Sequence, residues 1–400
     1  MAFVHVTMSA IARKLFAPPY AWRRRITSLI SLDLRLPVFV HRGILRDSRQ
    51  PFCFAHAGRY PTTGHHWAKN FLAGGYSTRE LGAAAIWTVE AKMRRSGFDC
   101  KMLLLETSAL TRRLVEKRMG FTVPLWLQME MDIRPSIKAL CSNSKAGLGN
   151  ISRLMRKHGI TGELVRDPRL LEDFYRNMYV PLVRGRHGEA SELVTFEKMK
   201  RISRSCDMLV IRRLGDPIAA SLISHERKKP ALRFIGVRDG SHELISIGAE
   251  GASYYCAATH LKSKGFDTMD IGGTSPLVND GLTAFKKRLK AEIISHTYLS
   301  GRCLRLILLN RSEGVLDALA ANPFVFYPSD HAPHLAMFVR PGQVQDREHL
   351  RRLLDAAKIS GSRGTCVHVF EEDERVRQWI AELGDPTVTV FRIDGRWAAA

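Results

Sequence analysis

Between Ala91 and Thr107 the chain reads AKMRRSGFDCKMLLLET: apolar residues at helical spacing among basic ones, then Gly97, then Phe-Asp, then an unbroken apolar run. Between Thr259 and Thr274 it reads THLKSKGFDTMDIGGT, with the same order around Gly265. A period of 3.6 gives way in each to a short apolar run, which predicts a helix, a glycine C-cap and a strand. A basic amphipathic helix is predicted after each strand, at 108–118 (SALTRRLVEKR) and 281–292 (GLTAFKKRLKAE), and a further strand after each helix, at 126–133 and 293–309. The recurring helix–strand–helix–strand order predicts a duplicated α/β unit.

Three strand-like runs at 207–214, 218–225 and 231–237 precede the second repeat, punctuated by Gly215-Asp216-Pro217 and Lys229-Pro230. That punctuation predicts an antiparallel meander leading into a helix near Gly248. Helices are predicted at 137–158 and 168–183. Beyond Asn310 a helix (313–321), a strand (335–339), a helix (347–359), a strand (366–370), a helix (374–383) and a strand (388–393) follow. The expected organisation is α/β (α+β): a unit with a mixed sheet at 1–135, a second at 136–310, and a small C-terminal α/β region at 311–400.

Composition narrows the function more than the fold. With 45% hydrophobic and 25% charged residues over 400 positions, the chain is an ordinary core-forming sequence and not a disordered one. The formal net charge of +22 suits polyanionic partners: a CoA-like pyrophosphate, a nucleotide sugar, a tRNA or an anionic membrane face. Basic residues are dense before residue 60, and Ile11–Leu32 mixes apolar residues with Arg23-Arg24-Arg25, which is compatible with peripheral membrane contact or with a solvated basic terminus. The seven cysteines are scattered without a C-x-x-C pair, which suggests reduced thiols and a cytoplasmic setting. No zinc-ligand spacing is present, His65-His66 has no third ligand nearby, and no metal is expected. H-E-x-x-H, G-x-S-x-G, the P-loop and G-x-G-x-x-G are all missing from the sequence.

Arg79-Glu80-Leu81-Gly82-Ala83-Ala84 fits R-x-x-G-x-A and is read as the start of a helix. Small residues there would let backbone amides of Leu81, Gly82, Ala83 and Ala84 approach a pyrophosphate, with Arg79 adding bidentate donors. Asp270 ends the second repeat's strand beside Gly272-Gly273; it either takes a proton from an amine or caps the turn. Lys286 could steady an oxyanion or phosphate, and Lys287 lies beside it on a basic helix. Arg184 and Arg186, with His187 following, could clamp a phosphate or carboxylate from a loop.

Residues 76–133 resemble the second half of a GNAT acetyltransferase, whose R-x-x-G-x-G/A segment binds CoA. A tyrosine of the following helix often serves there as general acid; Val115 takes its place here. Asp270-Ile271-Gly272-Gly273-Thr274-Ser275-Pro276 and Gly281-Leu282-Thr283-Ala284-Phe285-Lys286-Lys287-Arg288, with FYRNMYVPLVRGRHG at 174–188, resemble the FemAB/BioF2-like branch, which carries two GNAT-like domains in one chain. The resemblance covers roughly residues 76–310. It implies an N-acyltransferase joining an acyl group from acyl-CoA (acetyl-CoA), or an aminoacyl group from tRNA, to an amine of a small molecule or cell-envelope precursor. Under it Asp270 and Lys286 are catalytic, and Arg184, Arg186, Gly272, Gly273 and Lys287 bind substrate. The duplicated-module reading requires a splayed opening in the sheet around Leu103–Leu105 or Met269–Ile271. The competing reading is a non-catalytic binder of nucleic acid or anionic lipid on the same fold. Glu250 falls where Gly82 stands in the first repeat, so the second repeat is not expected to hold CoA in the standard way.

Overall fold

The computed structural model describes residues 34–393 except 109–110, 113–114, 116–119, 143–146, 188–192, 226–228, 295–301, 311, 329–331, 341 and 371–373. The basic N-terminal stretch and most of the helix expected at 108–118 lie outside the described residues. Val115, where the tyrosine would stand, is buried in an apolar core.

The first sheet comprises β1 (Arg35–Ile44), β2 (Pro51–Ala57), β3 (Ser77–Ala85), β4 (Met102–Ser108), β5 (Gly120–Pro124) and β13 (Arg302–Leu308), in the order β3-β1-β2-β4-β13-β5. Every residue of β4 is buried, as a strand covered on both faces requires. Helix α1 (Pro61–Phe71) follows β2 and packs Trp67 and Phe71 into one face; α2 (Val89–Arg95) packs Val89 and Met93 into the other. The second sheet runs β12-β6-β11-β10-β9-β8-β7. Its strands are β6 (Leu127–Asp132), β7 (Ile160–Val165), β8 (Cys206–Arg213), β9 (Asp216–Ser224), β10 (Ala231–Val237), β11 (Thr268–Thr274) and β12 (Glu292–Ile293). Helices α3 (Leu148–His158) and α5 (Ala249–Ser263) bury Ile151, Met155, Ala257 and Leu261 against it. Between them runs a helical stretch that passes through a π-turn at Tyr175–Tyr179 into α4 (Val180–His187). The two matched glycines, Gly97 and Gly265, both sit at positive φ (75° and 81°) after α2 and α5, as the repeat predicted.

The units do not divide at residues 135 and 310. Strand β6, from the expected first unit, pairs with β11 and β12 in the second sheet. Strand β13, from the expected second unit, is inserted between β4 and β5 of the first. The run expected as one strand at 293–309 therefore supplies β12 and β13 to different sheets. Each half completes its neighbour's sheet, a non-local pairing that local periodicity does not encode.

A third sheet, β14 (Phe324–Phe326), β15 (His334–Val339), β16 (Gly364–Phe370) and β17 (Val388–Ile393), is parallel except for β14. Helices α7 (Arg347–Ala357) and α8 (Glu374–Leu383) cover one face. The other face shares its core with the first sheet: the Phe121 ring meets Phe324, Phe326 and Phe338 at 5.4, 5.4 and 5.6 Å. The C-terminal region is thus continuous with the first sheet's core.

Candidate active site

Strands β10 and β11 run parallel but pair at one position, Ala231 with Asp270. Past it they separate. Two irregularities part them. On β10, Phe234 has φ of +48° and the register with β9 shifts between Arg233 and Gly236. On β11, Gly272 has φ of +80° and the register with β6 shifts between Asp270 and Gly273. Bulges of this kind re-aim backbone and side chains and gather at functional sites. The π-turn backbone lies against Gly236: a Cβ there would come within 2.6 Å of the Tyr179 amide nitrogen, so only glycine fits.

Asp270 stands where the strands part. Its Oδ1 accepts from the Gly272 amide at 2.7 Å and from the Gln128 side chain on β6. Oδ1 thus caps the turn, and Oδ2 makes no hydrogen bond among the described residues. Lys286 reaches the same turn from α6 (Gly281–Arg288), donating from Nζ to the Gly272 and Gly273 carbonyls, each at 2.9 Å. It is 2% exposed. Burial pushes its pKa down to about 7, opposed by the negative charges of Asp270, Glu250 and Asp280. Two carbonyl acceptors satisfy an amine that would otherwise be costly to bury.

The frame around this pair is hydrogen-bonded throughout. Asp280 caps α6 through the Leu282 and Thr283 amides at 3.0 and 3.3 Å. The Thr283 hydroxyl meets Thr274 Oγ1 at 2.7 Å and donates to the Ser275 carbonyl at 2.8 Å, fixing α6 on the end of β11. Trp126, 38% exposed, lies beside Gly273 and meets the His66 ring edge-on at 5.0 Å, forming an aromatic rim. Phe285 packs on buried Tyr254, whose phenol burial pushes up.

Arg186 faces this region from α4. Its guanidinium forms a bidentate pair with Glu250 in the first turn of α5, with Nη1 to Oε1 at 3.0 Å. The carboxylate it clamps is thus the chain's own, placed where a helix N-terminus favours negative charge. Glu250 therefore fills the helix start itself.

Several expected assignments are corrected. Arg79, Leu81, Gly82, Ala83 and Ala84 lie on edge strand β3, paired with β1 from Ser77 to Ala85, and not at a helix start. Pairing overrides the helix propensity of the alanines, and Arg79 lies over the Phe98 ring at 5.5 Å. Arg184 and Arg186 are helical, two residues apart, and so project to different sides; Arg184 is exposed. Lys287 turns away from Lys286 and donates to the Ala356 carbonyl at the end of α7. The opening expected at Leu103–Leu105 is closed: these residues pair with Ala55, His56 and Ala57 of β2.

Beyond that closed pair lies Glu106, which the sequence did not single out. It is 2% exposed and accepts from the Arg59 and Tyr60 amides at 2.9 and 3.3 Å, at the start of α1. His56 and Arg302 approach it at 3.3 and 3.6 Å, the latter from exchanged strand β13. A Cβ on Gly58 would lie 2.3 Å from this carboxylate. The start of α1 is thus filled by a buried carboxylate of the chain itself. Glu106 and Gln128 escape sequence reasoning because each acts through a strand pairing; only the polar residue inside an otherwise apolar run, Glu106 after MLLL, marks the former.

No family model matches the chain, and no curated protein matches it. Solved structures do. FemX is 12% identical, with a TM-score of 0.38, over 65% of this chain and 82% of that one. L-PGS from Bacillus licheniformis is 15% identical, with a TM-score of 0.29, over 57% and 73%. A GCN5-related N-acetyltransferase from Sphaerobacter thermophilus is 13% identical, with a TM-score of 0.32, over 65% and 74%. The sheets and helices described above are of the mixed α/β class expected from the sequence.

Proposed function

We propose that this chain is an amine-acylating transferase working where β10 and β11 part, with the aminoacyl ester of a charged tRNA as donor and an amine of a cell-envelope precursor as acceptor. The observation that supports this reading is the pairing of Asp270, with Oδ2 uncommitted, and buried Lys286 at one turn of β11. Attack of the amine on the ester carbonyl forms a C–N bond and breaks the C–O bond to the ribose. Asp270 Oδ2 receives the proton the amine loses, and that proton returns to the leaving alkoxide. Lys286, anchored by two carbonyls, offers its remaining N–H to the developing oxyanion. Two features favour a tRNA ester over acyl-CoA: Arg79 is on a strand, and carboxylates of the chain itself, Glu106 and Glu250, fill the starts of α1 and α5; the net charge of +22 suits either donor.

The test is transfer of labelled amino acid from charged tRNA, and separately of labelled acetyl from acetyl-CoA, into amino-lipid and peptidoglycan-precursor acceptors. The expected result is label from tRNA only, lost in Asp270→Asn. Label from acetyl-CoA would keep the chemistry and change the donor. Label from neither, or transfer undiminished in Asp270→Asn, would overturn the proposal.

A further inference from the structure

At the start of β8 and the end of β9 in the second sheet, three residues distant in sequence converge. Asp207 lies near the start of β8, His225 follows the end of β9, and His260 is three turns into α5. The Nε2 atoms of His225 and His260 lie 2.9 and 3.2 Å from the same oxygen, Asp207 Oδ2. All three potential ligand atoms fall within 4.8 Å of one another. The side chains are 33%, 32% and 14% exposed for Asp207, His225 and His260. They are therefore held by the fold yet reachable from solvent. Phe266 stacks on the His225 ring at 6.0 Å with an interplanar angle of 24°, fixing its plane.

Two imidazoles and one carboxylate, with a fourth side open, form a donor set suited to zinc and its neighbours in the first transition row. Tetrahedral bonds of about 2.0–2.1 Å separate ligand atoms by roughly 3.3 Å. The observed separations to Oδ2 need open by only a few tenths of an ångström to admit an ion. Calcium and magnesium prefer all-oxygen shells, which these histidines do not provide.

We propose that Asp207, His225 and His260 bind one divalent transition-metal ion, zinc by preference, with water or an exogenous ligand in the fourth position. The ion would replace the protons that now join the two rings to the carboxylate. It would also tie the C-terminal half of α5 to the ends of β8 and β9, while the N-terminal turn of the same helix carries Glu250 at the candidate active site. This site stands independently of the acyl-transfer reading.

Chelator-stripped full-length protein is titrated with cobalt(II), followed by optical absorption, and the cobalt is then displaced with zinc. The expected result is one saturable site per chain, with visible d–d bands of a nitrogen–oxygen shell and no intense thiolate-to-cobalt band. His225→Gln and His260→Gln keep a partner for Asp207 but should each weaken binding by more than about tenfold, the scale seen even for supporting residues of metal sites. Zinc should raise the melting temperature of the unsubstituted protein and leave that of the double glutamine variant unchanged. No saturable binding, a thiolate band, or equal binding by the double variant would overturn the assignment. If the double variant does not fold, Asp207→Asn takes its place under the same criteria.

Discussion

Two parallel strand pairs of this molecule, β2 with β4 and β10 with β11, end in opposite states. In the first sheet, β2 and β4 stay paired through Ala57 and Leu105, and Glu106 then fills the space at the start of α1. In the second, β10 and β11 pair once and part at Asp270, with Lys286 lying against the turn that follows. Each copy carries a carboxylate within this strand, β4 in one and β11 in the other, at positions four residues apart in the alignment of Gly97 with Gly265. Glu106 is consumed by two amides, a histidine and an arginine; Asp270 keeps one oxygen uncommitted. The difference teaches that two units with the same helix–strand order can keep their strands while one carboxylate is bound into a brace and the other is left with an open oxygen.

The sharpest way to break this comparison is to substitute both carboxylates. Asp270→Asn and Lys286→Met should each lower the transfer rate by about 10²–10³-fold, the usual worth of a positioned proton acceptor or oxyanion donor. Glu106→Gln should leave the rate within about threefold of the parent, since an amide of the same shape changes only the brace, with normal mutational scatter. Steady-state transfer assays on the three variants decide it; equal losses would erase the distinction.

Stability should respond in the reverse order. Glu106→Ala leaves Arg302 and His56 facing an empty buried site, and breaking such a pair costs about 3–5 kcal/mol. Gly58→Ala forces a Cβ into the same carboxylate at a cost of about 1–3 kcal/mol. Urea unfolding midpoints measure both.

A smaller effect concerns pH. The buried Lys286 amine has a pKa of about 7 in the folded chain, against an ordinary 10.5. Between these values the unfolded chain binds a proton that the folded chain does not, so this group makes stability rise with pH from about 7 to 10.5 and contributes no slope below or above. Lys286→Met should flatten that rise relative to the parent in melts taken across the window; parallel curves would contradict the burial argument. The smallest effect is expected at Arg79→Ala, on an exposed edge strand, with a change within about 0.5 kcal/mol and unaltered donor affinity. A large loss of donor binding there would restore the pyrophosphate reading.

What could be read from the chain follows from how local each signal is. The helix–glycine–strand repeats and the meander were legible because their periodicity and turn residues are contiguous, and the Asp270-x-Gly-Gly and Phe-Lys-Lys segments through their resemblance to the FemAB/BioF2-like pattern. Strand β3 was not, because Arg-Glu-Leu-Gly-Ala-Ala carries helical propensity that pairing with β1 overrides. The exchange of β6 and β13, and with it the arrival of Gln128 at Asp270 and Arg302 at Glu106, depends on which distant strand completes which sheet. The Asp207, His225 and His260 cluster escaped the search for ligand spacing for the same reason: a strand, a loop and a helix each supply one member.

The account stands or falls on which strand pair receives the donor. Hydrogen exchange, followed peptide by peptide with and without a stable amide analogue of aminoacyl-tRNA, reads this directly. Slowed exchange across 270–288, with 54–60 and 102–108 unchanged, is the predicted result. Protection of 54–60 and 102–108 without any at 270–288 would contradict it.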